Sequence, residues 1–472
     1  MDPRLRGDDG WGRCCRGGLG AWRPGGLGDV AFVRVPGWIA GFVGSDNAVG
    51  RRIMTAETPV SDAPAMRGAP IGFVEFVALV AALMSLTALG IDSMLPALPA
   101  IGESLGIASE NSRQYIVTAF VIGFGVAQLV HGPLADRFGR RTVLLWSLGL
   151  YALANVACAL AGSFTLLLIA RVAGGAVIAA ARVATIALVR DCYHGRAMAR
   201  VMSIAFMVFM IVPILAPTFG WSVLQFGDWR AIFWVIAGLT LVVLAWFWVR
   251  MPETLAPENV LPITPARILS DWRQTLGDRL SLGYTLAATA LMGSLYGYLN
   301  SIQQIMADVF AKPDLLALIF AVTSVTMAAA NLMNSRIVMK LGTRLISHCA
   351  LSGLILVSLV HLGAIEANWE SLTSFAVFQA LTLGCFGLAT SNFSAMAMEN
   401  MGRIAGTASS VQGFVSVTAG AVIGAVIGQA FDGTTVPLVL GFLLAGLAAL
   451  AVVALTERGR LFRPAIVVKP AE

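Results

Sequence analysis

The feature that most constrains the fold is a succession of long apolar stretches separated by short polar segments. A helix needs about 20 mostly apolar residues to cross a hydrocarbon core about 30 Å thick, since each residue rises about 1.5 Å. Only 12% of the 472 residues are charged and the mean hydropathy is +0.80, which leaves too few charges to cover a water-soluble protein of this length. The sequence therefore predicts an all-α membrane protein.

Twelve stretches are long enough to form spanning helices. They lie at 71–98, 113–132, 142–161, 164–189, 200–222, 231–250, 281–305, 314–335, 345–364, 370–395, 405–430 and 436–455. The longest connection, at 251–280, is rich in Pro and charged residues and separates six stretches from six. We therefore predict a first six-helix bundle at 67–250, a cytoplasmic linker at 251–280, a second six-helix bundle at 281–456 and a cytoplasmic tail at 457–472.

The basic residues between the stretches predict the orientation, because cytoplasmic loops retain Lys and Arg. Most of them fall in one alternating set of loops and in the C-terminal tail, whereas the opposite set holds only Arg113, Arg230 and Lys312. We predict a multi-pass protein of the cell inner (plasma) membrane with both termini in the cytoplasm. The net charge of +6 then reflects orientation in the membrane rather than binding of nucleic acid.

The N-terminal segment 1–66 is rich in Gly, and its apolar patch is interrupted by Arg34, Pro36 and Gly37. It matches neither a spanning helix nor a signal peptide. We expect this extension either to be disordered or to follow from a start codon assigned too early.

The loop GPLADRFGRR at 132–141 follows the second stretch. Gly132 and Gly139 permit a tight turn between helices, and Asp136 can accept hydrogen bonds from the amides at a helix N-terminus. Arg140 and Arg141 can pair with acids or with lipid phosphates. The segment SRIVMKLGTR follows the eighth stretch and aligns with this loop without gaps. A faint repeat of this kind, at corresponding places in two halves, is typical of transporters.

One acidic residue, Asp92, lies well inside a predicted span, where a charge is costly and usually functional. Pro96 and Pro99 loosen the helix just beyond it. Low polarity favours the protonated form of a carboxyl group, so Asp92 is a candidate for proton exchange near neutral pH. The alternatives are a carboxylate that caps the helix end or one that is permanently ion-paired.

The fourth span contains Arg171 and Arg182, which are eleven residues apart and therefore fall nearly on one helix face. We expect both to face the same interior. Arg171 and Asp92 each lie about 8 residues, or about 12 Å, from the outer ends of their helices, so they can meet and couple protonation to an ion pair. Arg182 has the alternative of extending toward the cytoplasmic headgroups.

From about residue 71 to 456 the chain resembles the major facilitator superfamily, and within it the twelve-span drug:proton antiporters of the bicyclomycin and chloramphenicol resistance (Bcr/CflA) type. The loop pattern G-x-L-A-D-R-x-G-R-R is matched by Gly132, Leu134, Ala135, Asp136, Arg137, Gly139, Arg140 and Arg141. The resemblance implies two pseudo-symmetric six-helix bundles. It also implies that this loop is a cytoplasmic gate with Asp191 as a partner, although a loop that only sets orientation is an alternative.

Three further patterns resemble that family. Asp92 precedes Leu-Pro as in its first-span signature, and Arg171 fits L-x-x-x-R-x-x-x-G in the fourth span. The fifth-span segment VPILAPTFGW matches the antiporter signature only in part, through Pro213, Pro217 and Gly220. Pro96 and these fifth-span residues are expected to kink their helices. Such kinks also occur for ordinary structural reasons, without a role in transport.

The resemblance implies a cavity between spans one, four, seven and ten. Its candidate substrate residues are Arg182, Asn300, Gln303, Gln379 and Asn392. Each of the four amide side chains has the alternative of a hydrogen bond between helices.

These features predict a proton-coupled antiporter that exports small amphipathic compounds, in the manner of multidrug and antibiotic resistance transporters. The alternative is a transporter of a small anionic or zwitterionic metabolite, since two buried arginines against one aspartate suit an anion. An enzyme is not expected, because the sequence has no nucleotide-binding G-x-x-x-x-G-K pattern, no metal-ligand spacing and no paired nucleophile and base. We expect a monomer in the bilayer that handles protons and a small-molecule substrate, without a metal or a cofactor.

A start at Met54 or Met66 would remove most of the extension while leaving every apolar stretch intact. N-terminal sequencing of the purified protein tests this hypothesis. Recovery of Met1 would contradict it.

Overall fold

The computed structural model describes residues 69–462 apart from 194, 258–259 and 261–263. The extension at 1–66 and residues 463–472 of the predicted tail lie outside the described residues. Every regular element in the described part of the chain is helical. The prediction of an all-α membrane protein is therefore confirmed.

The first half of the chain contains α1 (Phe73–Asp92), α2 (Leu98–Ser104), α3 (Tyr115–Phe138), α4 (Arg140–Ala159), α5 (Phe164–Cys192), α6 (Gly195–Leu224) and α7 (Trp229–Arg250). The linker contains α8 (Pro265–Gly277). The second half contains α9 (Arg279–Gln304), α10 (Leu316–Leu341), α11 (Thr343–Glu366), α12 (Leu372–Ala397), α13 (Ala405–Gln429) and α14 (Val436–Thr456).

All twelve predicted stretches are helical. Within the described residues, 10 helices are long and apolar enough to cross a membrane. The other two stretches form α6, which runs over 30 residues, and α9, which carries several buried amide and hydroxyl side chains. The count of twelve spans therefore stays a prediction.

Small residues let the helices of the first half approach closely. Gly123 of α3 lies against the carbonyl oxygen of Val172 in α5, and Gly175 of α5 lies against the carbonyl oxygen of Phe120 in α3. A side chain at either glycine would push the two helices apart, which is the usual reason for glycine between packed membrane helices. The two halves meet where α3 packs on α13 and α6 packs on α10.

The faint repeat is visible in the backbone. Gly139 joins α3 to α4 with φ 93° and ψ 150°, and Gly342 joins α10 to α11 with φ 80° and ψ 156°. Residues with a side chain rarely adopt this conformation. The same strained turn thus follows the second helix of each half, as the alignment of the two loops predicts.

Replacing Gly139 with alanine should destabilise the protein by about 1–3 kcal/mol, because the turn requires a positive φ. The added methyl group would also collide with the carboxylate of Glu253. Gly238→Ala in α7 is the matched control, since its added methyl group would meet nothing within 4 Å. Thermal unfolding of the purified variants measures the difference, and equal melting temperatures would contradict the prediction.

Candidate functional site

The two ends of the bundle differ in charge and in how the halves meet. We call the end with the turns at Gly139 and Gly342 the basic end, and the other end the opposite end. Within the described part of the chain, every hydrogen bond that joins the two halves lies at the opposite end. Its side chains, which we call the amide seam, are Asn111, Gln114, Thr118, Asn300, Gln304 and Gln429.

The amide seam is built from neutral groups. Gln304 donates from Nε2 to Oδ1 of Asn111 at 2.8 Å, and Gln429 donates to the backbone oxygen of the same asparagine at 2.7 Å. Asn300 donates to Oγ1 of Thr118 at 3.3 Å. The halves are therefore held together at the opposite end.

Asp92 is the last residue of α1 and is 5% exposed. The chain turns at Ser93 and Met94, and a short 3-10 helix that contains Pro96 follows, so the backbone is broken directly after the carboxyl group. Among the described residues, Asp92 accepts no hydrogen bond and forms no ion pair. It therefore neither caps the helix with its side chain nor belongs to a permanent ion pair there.

Asp92 instead lies near two tyrosines of the second half. Tyr296 and Tyr298, both in α9, are within electrostatic range of its carboxyl group. The charge of Arg182 in α5 acts on the same Tyr296 hydroxyl. Groups from α1, α5 and α9 thus share one interior region between the halves.

Arg182 lies near the middle of α5 with an exposed side chain, within electrostatic range of Tyr296 in α9. It forms no ion pair with any described residue. No described carboxylate therefore neutralises this cation.

Arg171 has different surroundings from Arg182, so the expectation of a shared interior was wrong. Its guanidinium lies 4.4 Å from the centre of the Phe120 ring, and Nε donates to the carbonyl oxygen of Ile116 at 3.1 Å. The side chain is 1% exposed and belongs to the core of the first half. The structure does not pair it with Asp92, because the ring and the carbonyl group of α3 hold it.

One of the kink candidates in α6 lies beside the segment that follows Asp92. Gly220 of α6 lies against the carbonyl oxygen of Ser93 and the ring of Pro96, so α6 packs directly on the break after α1. Pro213 and Pro217 lie inside the same helix. Gly220 therefore supports the segment that follows the carboxyl group, and for Pro213 and Pro217 the structure shows only their place in the helix.

The four amide candidates of the second half are all buried. Asn300 belongs to the amide seam, and Asn392 donates to Oδ1 of Asn334 at 2.9 Å, so both make the hydrogen bond between helices that the sequence left open. Gln379 has a carbonyl oxygen without a partner among the described residues. Gln303 and Gln379 remain the stronger candidates for contact with substrate.

The gate candidates form one cluster at the basic end. Arg140 is 4% exposed and binds Asp136 and Asp191, each at 2.9 Å. Glu253 accepts hydrogen bonds from the backbone amides of Arg140 and Arg141. Arg137 is exposed and forms no ion pair with a described residue.

This cluster belongs to the first half and the start of the linker. Asp191 is the partner that the resemblance implies for this loop, and it binds Arg140, but the pair does not join the halves in this conformation. Gly132 lies beside the second half, with Oγ of Ser410 in α13 3.4 Å from the place of its missing side chain.

The second half has an equivalent cluster that sequence reasoning missed. Arg344 binds Glu399 at 3.0 Å and Glu457 at 2.9 Å, and the hydroxyl group of Tyr284 donates to Glu457 at 2.6 Å. Glu399 follows the fourth span of its half as Asp191 does, and Glu457 follows the sixth span as Glu253 does. Aligning the two halves beyond the loop, at the ends of their fourth and sixth spans, would have identified these acidic residues.

The fold and the site define a polytopic membrane transporter with two related halves. The profile of the Major Facilitator Superfamily matches residues 80–425. The chain belongs to this superfamily and is therefore a membrane transporter and not an enzyme.

Several relatives of the chain are named as drug-resistance proteins. A bicyclomycin resistance protein homolog from Haemophilus influenzae is 31% identical over 374 residues, which cover 77% of this chain and 91% of that protein. A chloramphenicol resistance protein from Pseudomonas aeruginosa is 29% identical over 60% of this chain and 67% of its own length. The resemblance to drug efflux transporters of the Bcr/CflA type is confirmed.

A solved structure supports the fold. The human organic anion transporter MFSD10 (TETRAN) superposes with a TM-score of 0.60 at 20% identity, covering 82% of this chain and 100% of that one. The similarity confirms the fold of the superfamily.

Replacing Arg140 with glutamine should lower the free energy of unfolding by about 2–4 kcal/mol, because it leaves two carboxylates without their cation. Arg137→Gln, in the same loop, removes an exposed charge and should change it by less than about 0.5 kcal/mol. Thermal unfolding in one detergent compares the pair. A smaller effect at Arg140 than at Arg137 would show that the ion pairs do not stabilise this end.

Proposed function

We propose that the chain is a proton-coupled antiporter that exports small amphipathic compounds across the inner membrane by alternating access. The observation that carries the proposal is Asp92, a buried carboxyl group without a hydrogen bond or ion pair among the described residues. A charge that the protein leaves uncompensated in a membrane interior marks a functional group. The names of the resistance relatives support export of foreign compounds.

In this mechanism protonation of Asp92 and occupation by substrate exclude each other. Substrate enters from the cytoplasm while Asp92 gives up its proton to that side. After the halves rearrange, Asp92 takes a proton from outside and the substrate leaves. One inward proton thus drives one substrate outward.

The rearrangement requires the amide seam to open and the basic end to close. Each neutral hydrogen bond contributes only about 0.5–1.5 kcal/mol net, so hydration of the opened amides offsets most of the loss. We propose that the gate loop closes the basic end, with Gly132 approaching α13 and the exposed side chain of Arg137 reaching the second half. In the predicted orientation the basic end and both termini are cytoplasmic.

An anionic or zwitterionic metabolite is the alternative substrate. The observation in its favour is Arg182, an exposed cation inside the bundle that no described carboxylate neutralises. Arg182→Gln should abolish transport of an anion, but it should leave export of neutral and cationic compounds largely intact. Growth of an efflux-deficient host across a compound panel, with and without a protonophore, identifies the substrate and the dependence on the proton gradient.

Asp92→Asn should abolish export driven by a proton gradient in proteoliposomes, because the amide cannot exchange a proton. Exchange of substrate between two equal pools should persist, which would show that the variant is folded and binds. Asp308→Asn is the control, since it removes an acid in the turn after α9, away from the interior. Full gradient-driven export by Asp92→Asn would rule out the assignment of this residue.

A further inference from the structure

A groove runs between α4 and α7 near the basic end. Its walls are Leu145, Trp146, Gly149, Leu244 and Trp248, and its volume is about 380 Å³. The groove is open along the surface of the two helices. All five residues are apolar, so the groove suits a hydrocarbon chain.

The groove faces the bilayer. Trp146 is 70% exposed and Trp248 is 60% exposed, and along the same helices Leu153 and Val242 are 64% and 65% exposed. Large apolar side chains with this exposure belong in contact with lipid in a membrane transporter. Tryptophans are typical of the level where acyl chains meet headgroups, which is where the basic end of the groove lies.

Arg141 stands at the top of the groove, one helical turn before Leu145. Its side chain donates to the carbonyl oxygens of Met251 at 2.6 Å and Trp248 at 3.0 Å, so it is fixed against a wall of the groove. It forms no ion pair within the described residues. Its remaining terminal nitrogen, Nη1, has no partner there and is not buried.

We propose that this groove binds one anionic phospholipid of the inner leaflet, with an acyl chain between Trp146 and Trp248 and the phosphate on Nη1 of Arg141. The guanidinium group is held by two carbonyl oxygens, which leave its charge uncompensated and one edge available to a phosphate. The inner leaflet is where anionic headgroups meet cytoplasmic basic residues. The proposal is independent of the direction of transport and of the transported compound.

The site has a consequence for the gate loop. Arg141 follows Gly139 and Arg140, and its backbone amide binds Glu253 together with that of Arg140. A phosphate on Arg141 would therefore stabilise the turn that joins α3 to α4. The stability of the ion-pair cluster around Arg140 would then depend on the lipid composition of the membrane.

Native mass spectrometry of the purified full chain, titrated with phosphatidylglycerol, tests the proposal. Gly149→Leu fills the groove, since the only atom near the missing side chain is Cδ1 of Leu244 at 3.8 Å. Gly238→Leu in α7 adds the same side chain where nothing lies within 4 Å, outside the groove. We expect Gly149→Leu to bind phosphatidylglycerol about tenfold more weakly or worse, and Gly238→Leu to bind it as the unmodified chain does.

Arg141→Gln removes the charge and leaves the five residues that line the groove in the sequence. It should weaken binding of phosphatidylglycerol by about tenfold or more, the worth of one charge-assisted hydrogen bond, while binding of diacylglycerol, which lacks the phosphate, should not change. Equal binding of phosphatidylglycerol by Gly149→Leu and Gly238→Leu would contradict the proposal that the lipid binds in the groove. An equal loss of both lipids in Arg141→Gln would overturn the role of the phosphate.

Two other occupants would also overturn the proposal. A disulfide-linked dimer formed in native membranes by a cysteine at Trp146 would assign the groove to a second copy of the chain. Displacement of phosphatidylglycerol by an exported compound in the same titration would assign it to substrate.

Discussion

The absence of water from the hydrocarbon is the constraint on which the rest of the structure depends. Polar groups inside the bilayer need partners from the protein, and charges gather at the ends of the helices. At the basic end Arg140 and Arg344 bind carboxylates, and at the opposite end neutral amides bind one another. Arg171 contacts the ring of Phe120 and donates to a carbonyl oxygen, although its buried Nη2 has no partner among the described residues. Asp92 has no hydrogen-bond or ion-pair partner among the described residues. A carboxyl group can avoid the energetic cost of a buried, unpaired charge by taking up a proton.

In the mechanism that we propose, the position of Asp92 connects its protonation state to the contact between the halves. The carboxyl group lies at the break between α1 and the following 3-10 helix, against which Gly220 of α6 packs, and α6 is one of the two helices of the first half that pack on the second half. Its charge acts on Tyr296 and Tyr298 of α9, the helix that also supplies Asn300 and Gln304 to the amide seam. In the proposed mechanism, loss or gain of one proton changes the electrostatics of a helix that holds the opposite end closed.

The sequence predicted what the bilayer and the backbone dictate. Apolar length located the helices, and the glycines of the two loops predicted a repeated turn whose φ and ψ values agree closely. Burial of Asp92 also followed from depth along its helix. The neighbours of Arg171 did not follow, because depth and an eleven-residue spacing leave open which adjacent helix a long side chain meets. Asn392 illustrates the same limit, since a buried amide serves a cavity or a neighbouring helix equally well until the packing is known. Glu253 and Glu457 were missed because they lie beyond the apolar stretches that guided the search.

The central claim is that a proton and a substrate compete for the site at Asp92. The most direct measurement is the release of protons into a weakly buffered solution, followed with a pH-sensitive dye, when the purified protein in detergent binds an exported compound. The account predicts release of about one proton per bound substrate near the pH at which Asp92 titrates, and no release from Asp92→Asn at the same occupancy. Binding without proton release by the unmodified protein, or an unchanged release from Asp92→Asn, would contradict it.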